Sequence, residues 1–213
     1  RDSQYWDCRK NLKSDMKTGD IKDAINWLSG DFSIIADSGD NPTAGGVGDR
    51  ADILKEVLDN GIKDTLFAGI ASKSAYDELK QGKKFNLGGS FGGGGPSLEL
   101  FAESVYFENK CAVVKVKNST IIISSIRRPF HNMADFTKLK IDLKDFKLLI
   151  VKSGYLSPEL QELLAPSFMV LSDGAVNQDL KSIENINRNK KIYPFQDFSD
   201  FTPQVSNGLT IIN

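Results

Sequence analysis

The spacing of apolar residues predicts that buried strands and amphipathic helices alternate along the chain. The run FSIIAD at residues 32–37 is short and β-branched, as in a strand that is buried on both faces of a parallel sheet. In RADILKEVLDNG, residues 50–61, apolar positions recur on one helical face and a glycine-containing cap signature follows. A second strand, DTLFAGIAS at 64–72, and a second helix, SKSAYDELKQG at 72–82, come next. This order predicts a right-handed βαβ unit with two parallel strands in one sheet.

The pattern changes near residue 83, where strand-like runs separated by turns predict an antiparallel section. These runs are KFNLGGS (84–90), SLELFAESVYFE (97–108), CAVVKVK (111–117) and STIIISSI (119–126). The alternation then returns with the helix MADFTKLK, the strand FKLLIVKSG, the helix SPELQELLA and the strand SFMVLSD. Near the amino terminus, SQYWDCRKNLK and DIKDAINWLSG also have near-helical apolar spacing.

Together these elements predict an α/β fold, with a mainly parallel sheet flanked by helices and an inserted antiparallel hairpin region. We expect one domain over residues 1–198 and a C-terminal tail over residues 199–213. In such sheets, ligands bind beyond the carboxyl ends of the strands. Segments that follow strands are therefore where binding residues are expected.

Composition describes a globular protein rather than a disordered or membrane-embedded one. Of the 213 residues, 40% are hydrophobic and 26% charged, and the formal net charge is −1. Lys and Arg are dispersed, which indicates no nucleic-acid partner, and no apolar run reaches the roughly 18 residues of a membrane span. No signal segment opens the sequence, so we expect a cytoplasmic location without membrane contact. Because the first residue is Arg1, we expect either processing or a fragment of a longer protein.

A long glycine-rich turn, DSGDNPTAGGVGDR at residues 37–50, connects the first strand to the first helix of the βαβ unit. Turns of this class usually need only a few residues. Gly45, Gly46 and Gly48 would let main-chain N–H groups approach an anion or a substrate carboxylate. The segment is neither a P-loop nor a clean GxGxxG motif and has no phosphate-binding lysine, so nucleotide binding is not favoured.

The acidic residues of the same turn have two interpretations, and the sequence leaves both open. Asp37, Asp40 and Asp49 could supply oxygen ligands to a hard cation. Alternatively, Asp37 ends a strand, Asp40 and Asn41 form an Asx-turn before Pro42, and Asp49 caps the following helix.

Charged and hydroxyl residues also follow two later strands. Arg127 and Arg128 come after STIIISSI, and Lys152 and Ser153 come after FKLLIV. At strand carboxyl ends these side chains could point into a ligand-binding crevice. The alternative is that they are solvated charges at the ends of strands.

The scarcity of histidine limits the chemistry that this chain can perform alone. His131 is the only histidine, and Cys8 and Cys111 are far apart in sequence. A zinc site needs three or four ligands, usually several of them His or Cys, so we expect no metal site and no zinc in this chain. A Ser-His-Asp triad would need His131 as its base, and no GxSxG motif accompanies it. We therefore assign no catalytic residue and expect both cysteines to be reduced.

Several phrases in one order resemble the C-terminal domain of the microcystinase C (MlrC)-like metallopeptidases. They are ADSGDNPTAGGVGD (36–49), LGGS…GGP (87–96), SSIRRPF (124–130), IVKSG (150–154) and DGAVNQDL…KKIYPFQD (173–197). The resemblance extends over nearly the whole chain to about residue 198. The glycine-rich loop is its best-preserved piece, and the resemblance assigns that loop to the wall of a cleft facing a metal domain.

The resemblance implies that this chain is one part of an enzyme. In that family a separate, larger N-terminal domain supplies the zinc-binding histidines and acidic residues. The implied partners are that N-terminal metal-binding domain and a peptide or small amide substrate, and the implied cofactor, zinc, belongs to the other domain. The residues expected at the substrate cleft are Asp37, Asp40, Asn41, Gly45, Gly46, Gly48, Asp49, Arg127, Lys152 and Ser153.

Two phrases depart from the family pattern. The family usually continues its Lys-Ser with a nearby histidine and arginine, whereas this sequence has KSGYLSPEL. After its arginines the family tends to have Gln and Asp-Pro, whereas here PFHNMAD follows. If those family residues hold substrate, this protein has a different substrate or weak activity.

Three functional hypotheses remain open from the sequence. The first is the accessory domain of a hydrolase whose loop at residues 37–49 lines an interdomain cleft. The second is a stand-alone module that binds a small anion at the same loop. The third is a purely structural or dimerising domain. The first predicts upstream sequence with a His/Asp/Glu cluster, and the second predicts ligand binding by this chain alone.

Overall fold

A computed structural model of the chain describes residues 2–11, 16–184, 187 and 192–196. Internal contacts divide the chain into two units, Arg1–Asp15 with Leu180–Asn213 and Met16–Asp179. The predicted tail at residues 199–213 lies outside the described residues.

The smaller unit brings together residues from the two ends of the chain. Its described helix is α1 (Asp2–Cys8), which a short 3-10 turn follows. Trp6 and Tyr193 meet edge to face with ring centroids 6.0 Å apart. The Arg9 guanidinium lies 4.0 Å from the centre of the Trp6 ring, a cation–π arrangement. Aromatic packing therefore joins the amino-terminal helix to the carboxyl-terminal segment.

The larger unit is an α/β fold, which confirms the predicted fold class. Its strands are β1 (Lys17–Gly19), β2 (Ser33–Asp37), β3 (Thr65–Ala71), β4 (Lys84–Leu87), β5 (Leu98–Phe101), β6 (Ser104–Glu108), β7 (Cys111–Val116), β8 (Ser119–Ser124), β9 (Leu148–Val151) and β10 (Ser167–Val170). Its helices are α2 (Ile21–Trp27), α3 (Asp52–Asp59), α4 (Lys73–Gln81), α5 (Met133–Thr137) and α6 (Pro158–Gln161).

The main sheet contains eight strands in the order β1-β10-β2-β9-β3-β8-β7-β6. Strands β1, β10, β2, β9, β3 and β8 are parallel, and β7 and β6 continue the sheet in antiparallel pairing. The two runs predicted as parallel strands of one sheet became β2 and β3. That prediction is confirmed, and β9 lies between them, parallel to both.

Apolar side chains cover both faces of the sheet, which explains the uninterrupted apolar runs of the central strands. On the first face, α2, α3 and α4 pack against residues such as Ile35 and Ile150. On the second face, α5 and α6 pack against residues such as Ile34 and Leu149. The alternation of Ile34 and Ile35 follows from the two-residue period of a strand.

The predicted antiparallel section is present. Strands β4 and β5 form a separate two-stranded sheet, and the Lys117–Asn118 turn joins β7 to β8. No apolar pattern predicted β1, because this edge strand has three residues and none is buried. Helices α5 and α6 are shorter than their apolar spacing indicated, and Lys140 and Leu164 follow them with positive φ angles of 58° and 51°.

The chain turns in opposite directions after β2 and β9. From β2 it crosses the first face through α3 to β3, whereas from β9 it crosses the second face through α6 to β10. The two connections leave the sheet on opposite sides, so a crevice is expected beyond the carboxyl ends of β2 and β9. This topological switch point is where the candidate site lies.

Candidate functional site

Two charged residues occupy the switch point, one at the end of each diverging strand. Asp37 is the last residue of β2, and Lys152 directly follows β9. The Lys152 Nζ lies 2.8 Å from the Asp37 Oδ2 and 3.1 Å from the Asp40 Oδ2. All three side chains are at most 5% exposed. The fold thus brings together residues that are 115 positions apart in sequence.

The carboxylates keep the buried Lys152 charged. Burial acts to lower its pKa, but the adjacent Asp37 and Asp40 carboxylates outweigh burial and raise the pKa of Lys152 above its usual range. Each carboxylate also accepts a hydrogen bond from the ammonium group, which favours the charged form further. Lys152 is therefore a buried, fully paired cation, not a solvated charge at a strand end.

Asp40 organises the glycine-rich loop through its two carboxylate oxygens. Its Oδ1 accepts a hydrogen bond from the Gly48 N–H at 2.8 Å, and its Oδ2 accepts one from the Arg50 N–H at 2.8 Å. These bonds span eight and ten residues. The Asp40 side chain therefore bridges the two ends of the loop and does not form the local Asx-turn that one interpretation of the sequence gave it.

The tip of the loop contains the Asx-turn that the sequence indicated, formed by Asn41. Its Oδ1 accepts hydrogen bonds from the Thr43 N–H at 2.9 Å and the Thr43 hydroxyl at 2.8 Å. The Arg127 guanidinium donates to the Pro42 carbonyl through Nε at 3.1 Å and also through Nη2. The loop tip is thus held by its own turn and by the segment that follows β8.

One interpretation of the sequence made Asp49 the N-cap of α3, and the structure shows that it is not. The N-cap of α3 is Ala51, which makes no side-chain cap. The Asp49 Oδ2 instead accepts hydrogen bonds from the Phe91 N–H at 2.5 Å and the Gly93 N–H at 3.4 Å. The second glycine-rich segment, residues 88–96, therefore folds onto the first, a contact that local sequence patterns could not reveal.

The loop glycines have different structural requirements. Gly45 and Gly48 have φ angles of 108° and 82°, which residues with a side chain rarely adopt. At Gly46 a Cβ atom would stand 2.6 Å from the Asp40 carbonyl carbon and 2.7 Å from the Asn41 nitrogen. Gly46 is therefore needed because the main chain of the loop passes close to itself.

The segment after β10, residues 172–178, lies across the end of β2, and we call it the closing segment. The Ser172 hydroxyl donates to the Asp37 Oδ1 at 2.5 Å and accepts a bond from the Gly39 N–H at 2.9 Å. The Val176 N–H donates to the Gly39 carbonyl at 3.0 Å. Ser172 was not predicted, although its position after a strand resembles that of Lys152.

The remaining candidates take other positions. Ser153 is buried next to Lys152, and its hydroxyl donates to the Tyr155 carbonyl. Arg128 forms an ion pair with Asp135 at 2.6 Å. Burial lowers the pKa of His131, although the nearby Asp135 acts to raise it. In the part of the chain that the structure describes, no side-chain hydrogen bond or ion pair joins these residues to the cluster of Lys152, Asp37 and Asp40.

Beside the closing segment is an open cavity of about 300 Å³ with acidic walls. Its lining residues are Asp20, Ile21, Lys22, Asp52, Glu56, Leu171, Ser172 and Asp173. Four carboxylates against one lysine make this an unfavourable place for an anion. Within the described ranges, no group of three or more His, Cys, Asp and Glu side chains is placed to hold a metal ion. No helix in those ranges is long and apolar enough to cross a membrane.

The sequence and the fold of the chain were compared with those of known proteins. The sequence matches the family described as MlrC C-terminus over residues 35–94 and 89–187, which is more than half of the chain. The fold matches the crystal structure of a candidate metallopeptidase from Mesorhizobium sp. BNC1 with a TM-score of 0.69 and 15% identity. That match covers 94% of this chain and 45% of the other, so this chain spans less than half the length of its structural neighbour. No curated protein matches the sequence.

Proposed function

The chain belongs to the family of MlrC C-terminal domains, and on that premise we propose that it forms one wall of the substrate cleft in a zinc-dependent peptidase or amidohydrolase. The proposed substrate is a peptide or a small amide. The zinc site and the hydrolytic residues belong to a separate domain. The structural neighbour, itself a candidate metallopeptidase, is more than twice as long as the part that this chain matches, which is consistent with such a division.

The observation that carries this proposal is how the glycine-rich loop is held at the switch point. Its base is anchored to buried charges through Asp40, and its tip is anchored to Arg127 through the Pro42 carbonyl. Between these anchors, Thr43, Ala44 and Gly45 are exposed. Loops that bind substrates are characteristically short exposed segments supported by a rigid scaffold. The loop has this form at the sheet edge where such folds bind ligands.

The residues of this chain do not fit a zinc site of their own. The sequence has one histidine, and the described residues contain no cluster of metal ligands. Zinc sites in hydrolases use at least three protein ligands with several nitrogen or sulfur donors. In the proposed enzyme, bound zinc would supply the activation of water, and this chain would bind and orient the substrate.

The buried charges argue against a stand-alone anion-binding module at the same loop. The one lysine at the switch point has two carboxylate partners, so it offers no unpaired positive charge. The cavity beside the closing segment is acidic as well. A small anion would therefore meet net negative charge at the buried base of the loop and in this cavity, and the exposed Arg127 guanidinium could attract it at the loop tip alone.

The proposal is tested by placing a large side chain at the exposed loop tip. In a longer protein that contains this domain and the proposed metal domain, Ala44→Trp should lower kcat/KM for peptide or amide hydrolysis at least about tenfold, because the indole would fill the cleft. Lys63→Trp is the matched control, since Lys63 is also exposed but precedes β3 at the opposite edge of the sheet. If both variants hydrolyse substrate like the parent protein, the loop does not line the cleft.

A further inference from the structure

We propose that Lys152 is a positioning residue that sets the conformation of the glycine-rich loop through Asp40, and that it does not contact the ligand. The importance of that conformation for substrate rests on the proposed function. The positioning itself rests on geometry within this chain and can be tested without any activity.

The Lys152 side chain is not accessible to a ligand. Its side chain is 2% exposed, and its ammonium group lies within 3.1 Å of two carboxylate oxygens. The same group lies 5.8 Å from the centre of the Phe67 ring, which occupies a further side. A ligand would have to displace a buried carboxylate to reach Lys152, leaving that carboxylate desolvated and unpaired.

Asp40 is the link between Lys152 and the loop. The carboxylate that contacts Lys152 also accepts the Gly48 and Arg50 N–H groups at the far end of the loop. Lys152 follows β9 without an intervening loop, so its position is set by the sheet. The lysine therefore fixes the Asp40 carboxylate relative to the sheet, and the carboxylate fixes the loop.

Asp37 provides a built-in comparison. It contacts the same lysine at 2.8 Å, but its second oxygen accepts the Ser172 hydroxyl of the closing segment. Within the described part of the chain, no hydrogen bond or ion pair joins the Asp37 side chain to residues 41–50. The two aspartates therefore share a cation and differ in which segment they hold.

The experiment compares Asp40→Asn with Asp37→Asn in this chain, measuring amide hydrogen exchange by NMR. The Gly48 and Arg50 amides should exchange roughly tenfold faster or more in Asp40→Asn, because they lose bonds to a charged acceptor. In Asp37→Asn the same two amides should stay within about twofold of the parent chain. The Ile150 amide in β9 reports global unfolding in each sample, which separates loss of the loop from loss of the fold.

Lys152→Met extends the comparison to the lysine itself, with Lys147→Met as control. Lys147 is exposed and lies just before β9, at the opposite end of the same strand. Lys152→Met should accelerate the Gly48 and Arg50 amides more than the Ile150 amide, and Lys147→Met should change none of them. If Lys152→Met does not fold, the two asparagine variants can still overturn the inference, because both retain the lysine and differ in which segment they release.

Two outcomes would overturn the inference. Equal acceleration of Gly48 and Arg50 in Asp37→Asn and Asp40→Asn would mean that the lysine only stabilises the sheet edge. Unchanged exchange in Asp40→Asn would mean that the loop keeps its shape without the carboxylate. The proposed function can fail separately. In that case Ala44→Trp would leave hydrolysis unchanged, while the exchange rates would still show that Lys152 and Asp40 position the loop.

Discussion

At the scale of single residues, two buried residues of the same type can hold different segments of the chain. Asp40 and Asp49 belong to the same loop, and both are essentially unexposed. Asp40 accepts N–H groups from its own loop, whereas Asp49 accepts them from residues 42 to 44 positions later. The hydrogen-bonding requirement of a buried carboxylate is general. Which partners satisfy it depends on the path of the chain.

His131 allows a prediction about stability and pH, because it is the only histidine in the sequence. Burial lowers its pKa below 6.5 in the folded chain, the Asp135 carboxylate opposing this in part. Below pH 6.5 the unfolded chain therefore takes up a proton that the folded chain resists, and stability is lost as the pH falls toward the folded pKa. Above pH 6.5 this contribution is fully present.

The measurement is urea unfolding of the parent chain and of His131→Phe at several values from about pH 7 to about pH 5.5. The free energy of unfolding should fall more over this interval in the parent than in the variant, because the variant has no imidazole to protonate. Equal decreases in the two chains would show that the folded and unfolded states bind the histidine proton equally.

At the scale of secondary-structure elements, two glycine-rich segments act as one structural feature. Residues 88–96 lie in the connection between β4 and β5, and residues 38–51 connect β2 to α3. They meet at Asp49, whose main-chain carbonyl also accepts the Gly89 N–H at 3.0 Å. Arg50 adds a bond from its Nη1 to the Gly93 carbonyl at 3.1 Å. The second segment therefore depends on the first for its conformation.

Asp49→Ala should release the second glycine-rich segment while leaving the parallel sheet folded. The Phe91 and Gly93 N–H groups would lose a charged acceptor, a loss of about 1.5–3 kcal/mol for such bonds. Hydrogen exchange measured by mass spectrometry should rise in peptides covering residues 89–95 and stay unchanged in β2 and β9. Asp59→Ala is the control, since Asp59 forms only an exposed ion pair with Lys55 in α3. Unchanged exchange at residues 89–95 would contradict this dependence.

At the scale of the whole molecule, the described residues form an α/β fold and contain no group of three or more His, Cys, Asp and Glu side chains placed to hold a metal ion. The topological switch lies between β2 and β9, at the edge where α/β sheets commonly bind ligands, and the buried charges of Lys152, Asp37 and Asp40 fill its base. The loop tip is exposed at this edge and is supported from both ends. This arrangement is consistent with the proposed role as one wall of a substrate cleft.

The purified chain should therefore hold no stoichiometric zinc and should not hydrolyse peptides or small amides. A single histidine with two separated cysteines falls short of the three or four ligands that zinc requires. The measurement is elemental analysis after dialysis against a weak chelator, with a peptidase assay on the same sample. One equivalent of retained zinc, or turnover that zinc restores, would show that this chain forms a metal site by itself.

The sequence by itself determined the fold class and most of the elements. The continuous apolar runs around Ile34, Phe67 and Ile150 predicted strands buried on both faces, and their alternation with helices predicted parallel pairing. These signals are local, because a strand or helix expresses its burial in its own residue spacing. The sequence also marked the loop at residues 37–50, because its length and its glycines exceed what a connection requires.

Only the tertiary structure decided which contacts the candidate residues make. Lys152 follows a strand in the way that a crevice residue would, yet its ammonium is buried between Asp37 and Asp40. Asp49 has the sequence position of a helix cap, but its carboxylate accepts a hydrogen bond from the Phe91 N–H instead. Both outcomes depend on strand order, which brings distant segments together at one edge of the sheet. The partner of a buried charge is set by which strands become neighbours, not by the residues beside it in sequence. Residue spacing therefore contains no information on the order of the strands or on these contacts.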